Sequence, residues 1–211
     1  MPDDPFDARP PTSHERQSGL PWDASYRNGP APWEIDGPQP AVVRLAAAGG
    51  VTGSVLDAGC GSGANALHLA ALGLPVLGVD VAETALARAR AAAAALGVDA
   101  EFTTADALHL ERLHRRFDTV LDSGLFHTFD AGERLAYAAS LAAVTEPGGT
   151  VYILCFSDDG PDAGPHPVRR ADFAAAFGAG WRIAGIAPDR IHTRYHEHGA
   201  PAWLATVART G

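Results

Sequence analysis

The stretch VLDAGCGSGANALHLAALG, Val55 to Gly73, constrains the chain more than any other. An apolar run ends on an acid, turns through three glycines and continues as an alanine-rich helix. That helix repeats Ala64, Leu67 and Ala71 on one face until Gly73 stops it. A strand that turns straight into a helix N-terminus leaves backbone N–H groups free to meet a ligand, and glycines let the ligand come close. Gly59, Gly61 and Ala64 also satisfy the G-x-G-x-x-G/A spacing of dinucleotide-binding folds, so the turn alone leaves two ligand classes open.

From Val55 onward short apolar runs alternate with helical patterns, the signature of crossover units and a mainly parallel sheet. The predicted strands are SVLDA, PVLGVD, AEFTTAD, FDTVLDS, TVYILCFS, WRIAGIAP and AWLATVA. Helices fall between them. Glu83 to Leu96 is closed by Gly97, and Asp130 with Glu133 forms a capping box that opens the helix through RLAYAASLAAV. The last two strands, joined by the loop-like DRIHTRYHEHGAP, predict an antiparallel hairpin at one end of the sheet. At 211 residues and 46% hydrophobic content, the chain suffices for one α/β domain and is short for two. Residues 1–20 have the composition of a flexible tail. Residues 21–50 hold a segment too aromatic for a linker, then a helix from about Gln39 to Ala48, and the core spans residues 51–211.

No apolar stretch approaches a membrane span, and the polar, proline-rich opening residues lack the apolar centre of a signal peptide. The expectation is a soluble cytoplasmic protein. Cys60 and Cys155 suggest no disulfide framework. The formal net charge is −9 and every basic residue is a scattered arginine, the opposite of what phosphate-backbone binding demands, so no nucleic-acid partner is expected.

Three acids narrow the ligand. Asp57 stands two residues before Gly59, where a carboxylate would repel a pyrophosphate and attract an ammonium group. Asp80 ends the second strand, placed to accept both hydroxyl hydrogen bonds of a ribose, as it would for NAD. Asp106 ends TTAD, placed to meet an adenine amino group. The fourth strand then runs into DSGLFHTF, and EPGG leads into the fifth. In order and spacing, VLDAGCGSG, Asp80, Asp106, FDTVLDS and PGG resemble the motif series of class I S-adenosylmethionine-dependent methyltransferases over roughly Val51 to Gly211. The resemblance implies a doubly wound, mainly parallel, Rossmann-like sheet of seven strands with an antiparallel strand near the C-terminus. S-adenosyl-L-methionine would be the cofactor. Asp57, Gly59, Gly61 and Gly63 would line its methionine side, Asp80 and Val81 the ribose, and Asp106 with Ala107 the adenine. Helix packing by Gly63 and helix capping by Asp106 stay open as second readings.

Upstream, PAPWEIDGPQPAVVRLA resembles the lead-in of small-molecule methyltransferases of the thiopurine and tellurite-resistance type, including bacterial enzymes acting on heterocyclic toxins. In that group the N-terminal segment folds over the cofactor as a lid. Trp33, Ile35 and Gln39 would then contact the cofactor, with Trp22 and Tyr26 nearer a small-molecule acceptor. The reaction implied is methyl transfer to an O, N or S atom of a small aromatic or heterocyclic compound. His127 follows the fourth strand and is the candidate base or orienting group, against a pocket-shaping role. Asp122 and Ser123 in the same turn face cofactor or acceptor; Phe126, Phe156, Ser157 and Asp158 are candidate acceptor walls, and Arg194 and Tyr195 candidate rim contacts. The His196 and His198 pair lacks further clustered ligands, so no metal site is expected. A nicotinamide-dependent oxidoreductase and a non-catalytic binding subunit remain as the alternatives, and oligomeric state is not legible.

Overall fold

The computed structural model describes residue 6, residues 9–159 and residues 166–211; the first five residues of the expected tail and residues 7 and 8 lie outside the described residues. Seven strands form one sheet: β1 (Val55–Ala58), β2 (Val76–Asp80), β3 (Glu101–Thr104), β4 (Phe117–Ser123), β5 (Thr145–Phe156), β6 (Trp181–Thr193) and β7 (His196–Arg209). Their order is β3-β2-β1-β4-β5-β7-β6. Strands β1 to β5 are mutually parallel, and β7 lies antiparallel between β5 and β6. The helices are α1 (Ser13–Ser18), α2 (Pro40–Ala47), α3 (Ala64–Ala71), α4 (Glu83–Leu96), α5 (Ala131–Val144) and α6 (Arg170–Ala176).

Side-chain alternation along the strands builds two cores, one on each face. Val55, Leu121 and Tyr152 pack with Leu67 and Leu69 of α3 and Leu86 and Ala89 of α4. Leu56, Val120, Val151 and Ile153 turn the other way onto Tyr137 and Leu141 of α5 and Phe173 of α6. Each fully buried leucine contributes about 2 kcal/mol of transfer free energy. Helix α5 buries Tyr137, Ala138, Leu141 and Val144, a one-sided stripe at helical spacing, and its predicted capping box between Asp130 and Glu133 is formed. Because β2 and β4 flank β1, the chain leaves the carboxyl ends of β1 and β4 toward opposite sides of the sheet. A crevice opens there.

The structure departs from the predicted elements in four places. Residues 12–18 are not a loose tail: Thr12 and Glu15 form a capping box, and Glu15 is fully buried. Strand β5 begins at Thr145, so EPGG lies within it, beside a register shift between Phe117 and Thr119 of β4. The polar stretch before Pro201 is mostly paired strand, with Thr193 opposite His196 and only Arg194 and Tyr195 turning, since main-chain pairing does not require an apolar pattern. Helix α6 and the 3-10 turns at residues 22–26, 107–113 and 126–128 had no strong periodic signal.

Candidate active site

The glycine turn is built on positive φ: Gly59 at 71°, Gly61 at 53° and Gly63 at 84°. Asp80 ties it down. Its Oδ2 accepts from the Gly61 N–H at 2.9 Å and its Oδ1 from the Ala82 N–H at 2.9 Å, leaving further acceptor capacity on both oxygens. Burial raises the Asp80 pKa above the usual carboxylate range. A Cβ on Gly61 would lie 2.9 Å from the Tyr26 hydroxyl, so the residue-22–26 turn sits directly on the loop.

Behind the loop, Asp57 shares the face of Val55 and points toward α3, only 1% exposed. Its Oδ2 has no hydrogen-bond partner, and burial, reinforced by the charge of Asp122, pushes its pKa up to about 7. Asp122 shares the face of Val120 and points the other way. Its Oδ1 accepts from the N–H groups of Leu125 at 2.9 Å and Phe126 at 3.3 Å, holding the turn after β4. Burial pushes its pKa up to about 7 as well, and its other oxygen is an unpaired neighbour of the buried Tyr137 phenol.

A cavity of about 180 Å³ runs over the crevice, against about 10–15 Å³ needed for one water. At one end it is lined by Gly59, Asp80, Val81, Asp106 and Ala107, at the other by Leu125, His127, Phe129, Phe156 and Ile191. Trp22, Tyr26, Trp33 and Gln39 roof it. The roof is an aromatic set: Trp22 stacks on His14 at 4.5 Å, and Trp33 lies edge-on to Trp22 at 5.5 Å and to Tyr26 at 5.9 Å. Trp33 Nε1 donates to the Tyr26 hydroxyl at 2.9 Å. Charged anchors hold this segment down. Asp23 accepts from the N–H and hydroxyl of Thr84 at the start of α4, and Arg88 donates to the carbonyls of Gly29 and Tyr26.

His127 is buried, and its Nδ1 accepts from the Phe156 N–H at 3.3 Å. The ring proton therefore sits on Nε2. Burial first, then the charges of Arg134, His14 and His166, push its pKa down to about 3. At neutral pH it offers an N–H donor and is a poor proton acceptor.

The structure brings twelve of the candidate residues to one cavity: Trp22, Tyr26, Trp33, Gln39, Gly59, Asp80, Val81, Asp106, Ala107, Ser123, His127 and Phe156. Ten others lie elsewhere. Asp57 and Asp122 sit beneath the loops, Phe126 is fully buried against Phe173, and Tyr195 is 77% exposed at the hairpin tip, its side chain away from the cavity. Gly61 is covered by Tyr26, and a Cβ on Gly63 would meet Ala89 and Phe102 at 2.9 Å, so Gly63 serves packing. Asp106 both lines the cavity and caps the following turn, accepting from the Leu108 N–H at 2.9 Å. The Gln39 amide is spent on the His192 backbone, donating to its carbonyl at 2.8 Å and accepting from its N–H at 2.9 Å. Ile35, the buried Ser157 and Asp158 do not line the cavity, and Arg194 is exposed. Sequence reasoning missed Arg9, Thr12, His14, Phe129, Ile191 and Thr193; the capping box of Thr12 and Glu15 was the available signal for the first three.

A mainly parallel seven-stranded sheet with a crevice of acids and glycines at its switch point defines a nucleoside-binding α/β enzyme. Residues 55–149 match the family model of a methyltransferase domain. A 2-heptyl-1-hydroxyquinolin-4(1H)-one methyltransferase of Mycobacteroides abscessus is 37% identical over 165 residues, covering 76% of this chain and 73% of that protein. A probable thiol methyltransferase of Arabidopsis thaliana is 29% identical over 68% of this chain and 65% of its own length. Among solved structures, one describing the conversion of a disulfide bond into a thioacetal group during echinomycin biosynthesis aligns with a TM-score of 0.81, 38% identity and 90% coverage of both chains. A Synechocystis magnesium protoporphyrin IX methyltransferase with bound S-adenosylmethionine aligns with a TM-score of 0.62 and 26% identity, over 81% of this chain and 76% of that one. The chain belongs to the class I S-adenosylmethionine-dependent methyltransferases, and S-adenosylmethionine is its methyl donor. Its residues fit that molecule: the unpartnered Asp57 oxygen behind the glycine turn favours a cation, and Asp80 keeps acceptor capacity at the cavity wall. The named relatives lend nicotinamide chemistry no support.

Proposed function

We propose that this enzyme methylates an O, N or S atom of a small aromatic or heterocyclic molecule. The observation that carries the proposal is the roofed cavity: acids and glycines at one end, aromatic and aliphatic walls at the other, closed by Trp22, Tyr26 and Trp33. A roofed slot of this kind suits a planar small molecule better than a polymer. When bound, S-adenosylmethionine supplies a methyl group made electrophilic by its sulfonium charge. The protein's task is to align an acceptor lone pair with that methyl and to exclude water.

In this reading Asp80 and Val81 hold the ribose, Asp106 and Ala107 the adenine, and Gly59 the approach of the methionine portion. Asp57 acts from behind the loop, its carboxylate favouring the cationic ligand through the turn. Trp22 and Phe156 wall the acceptor, and the His127 Nε2–H orients it as a hydrogen-bond donor. The acidic balance of the chain favours a free small molecule over nucleic acid. Among the described residues no helix is long and apolar enough to cross a membrane, and the free thiols of Cys60 and Cys155 suit a reducing compartment, so the cytoplasm is the proposed location.

The test is a screen of hydroxyquinolones, phenols, thiols and azoles with labelled S-adenosylmethionine. Label transfer to one of these classes with release of S-adenosylhomocysteine is the expected result. Transfer confined to a protein or nucleic acid, or none to any small acceptor, would overturn the proposal.

A further inference from the structure

Four residues of the segment 9–22 line the cavity: Arg9, Thr12, His14 and Trp22. Three of them bond to one carboxylate. Glu15 Oε1 accepts from the Arg9 guanidinium and from the Trp22 N–H at 3.2 Å, and its Oε2 accepts from the Thr12 N–H at 2.9 Å and the Thr12 hydroxyl at 3.0 Å. Glu15 itself is fully buried and does not line the cavity. The capping box of α1 requires only the bond from the Thr12 N–H to Glu15 and the return bond from the Glu15 N–H to the Thr12 side chain. The bonds to Arg9 and Trp22 exceed it. Burial works to raise the Glu15 pKa, but the Arg9 guanidinium and the N–H groups of Thr12 and Trp22 outweigh it, holding the carboxyl below its ordinary value and ionised. Altering a buried, paired charge disturbs every group that faces it, because each is left without its match.

The roof is thereby anchored in two halves. Residues 23–39 are pinned to α4 and to the β6–β7 hairpin: Asp23 bonds Thr84, Arg88 holds the Gly29 and Tyr26 carbonyls, the Arg194 N–H donates to the Pro32 carbonyl at 3.1 Å, and Gln39 is bonded to His192. Residues 9–22 gather on Glu15. Trp22 stands at the joint, its N–H on the carboxylate and its ring stacked on His14 at 4.5 Å and edge-on to Trp33 at 5.5 Å. At the cofactor end, Asp80 holds the Gly61 and Ala82 N–H groups and Asp106 the Leu108 N–H, so those acids are fixed by their own loops. We propose that Glu15 is a positioning residue for the methyl acceptor: its carboxylate gathers Arg9, Thr12 and Trp22 into one wall of the cavity without touching either ligand. This rests on the small-molecule reading above, in which Trp22 walls the acceptor. Methyl transfer depends on alignment, and a displacement of about 1 Å costs roughly 10²-fold in rate. The hold on the acceptor and the affinity for the donor therefore separate at Glu15.

Glu15→Gln tests this at constant shape. An amide offers one acceptor oxygen and one NH₂ group where the carboxylate offers two oxygens, so one side of the cluster must face donor with donor. Wild type and variant are compared on 4-nitrophenol, thiophenol, imidazole and a hydroxyquinolone, one for each class of the screen above, with S-adenosylhomocysteine affinity measured by calorimetry. The proposal expects kcat/KM for the acceptor to fall about 10- to 100-fold, chiefly through a raised acceptor KM. Affinity for S-adenosylhomocysteine should stay within about twofold. Equal losses of acceptor and cofactor binding, or wild-type acceptor kinetics, would overturn the proposal. Amide exchange read by NMR in the S-adenosylhomocysteine complex is the second measure: the Thr12 and Trp22 amides should exchange faster in Glu15→Gln, while the Gly61 and Ala82 amides keep their wild-type rates. If the variant does not fold, the wild-type amides decide, since adding the same acceptors must slow Thr12 and Trp22, and unmoved rates overturn the assignment. If wild type methylates no acceptor, the small-molecule reading fails instead. Glu15 is then judged by the exchange comparison, where equal Thr12 and Trp22 rates in the two proteins overturn its role.

Discussion

Single positions at the sheet's carboxyl edge carry opposed demands. Asp57 is held near a pKa of about 7 by burial, well above its value of 3.8 in an unfolded chain. Stability from a carboxyl raised in the folded state is complete below the unfolded pKa and is lost as pH climbs through the folded value. Ligand-free wild type should therefore lose stability between about pH 4 and pH 7 on this account, by a few kcal/mol at most. Asp57→Asn should flatten that fall and bind S-adenosylmethionine more weakly; urea midpoints at pH 5 and pH 8 for both proteins check the first part. A parallel slope in wild type and variant would show that Asp57 is not strained. Gly63 makes a steric demand: with φ at 84° and Ala89 and Phe102 at 2.9 Å from a hypothetical Cβ, Gly63→Val should cost about 1–3 kcal/mol, seen as a lowered denaturation midpoint. For His127, loss of a single neutral donor in His127→Ala should cut kcat about tenfold without moving the pH profile above pH 5. A lost basic limb would instead make it the base.

Among elements, α1 is held in place by a distant partner. Its Ser13 bonds to Glu133 through both its N–H and its hydroxyl, and Asp130 N–H donates back to the Ser13 hydroxyl at 3.1 Å, so the N-terminal helix completes the cap of α5. Ser13→Ala should weaken this latch by about 1–2 kcal/mol, the range of a lost cap. Faster proteolysis between α1 and the residue-22–26 turn is the expected sign, with core stability little changed. Elements of the core were legible because each carries its own periodicity and stop: α4 and α5 begin and end where Glu83, Gly97 and the Asp130 capping box put them. Helix α6 was not legible, since its seven residues bury only Phe173 and Ala176 and so show no repeated stripe.

For the molecule as a whole, the roof and the sheet close one cavity, and a ligand that binds there stabilises the folded state by mass action. S-adenosylhomocysteine at a hundred times its Kd should add about 2.7 kcal/mol, a rise in Tm of roughly 5–10 °C for a chain of this size, while NAD should give none. Differential scanning calorimetry separates the two, and a shift with NAD alone would contradict the donor assignment. The sequence by itself determined the α/β class, the glycine turn and the acids at the carboxyl ends of β1, β2 and β4 and just after β3, because turn chemistry and hydrophobic period act over a few residues. Only the tertiary structure decided that Asp57 and Asp122 face opposite sides of the sheet beneath the cavity, that Tyr195 points away, and that His14 and Trp22 reach the site. The facing of the two acids depends on how β1 and β4 pair, and the reach of His14 on contacts between residues more than a hundred positions apart, such as Ser13 with Glu133, which no local pattern encodes.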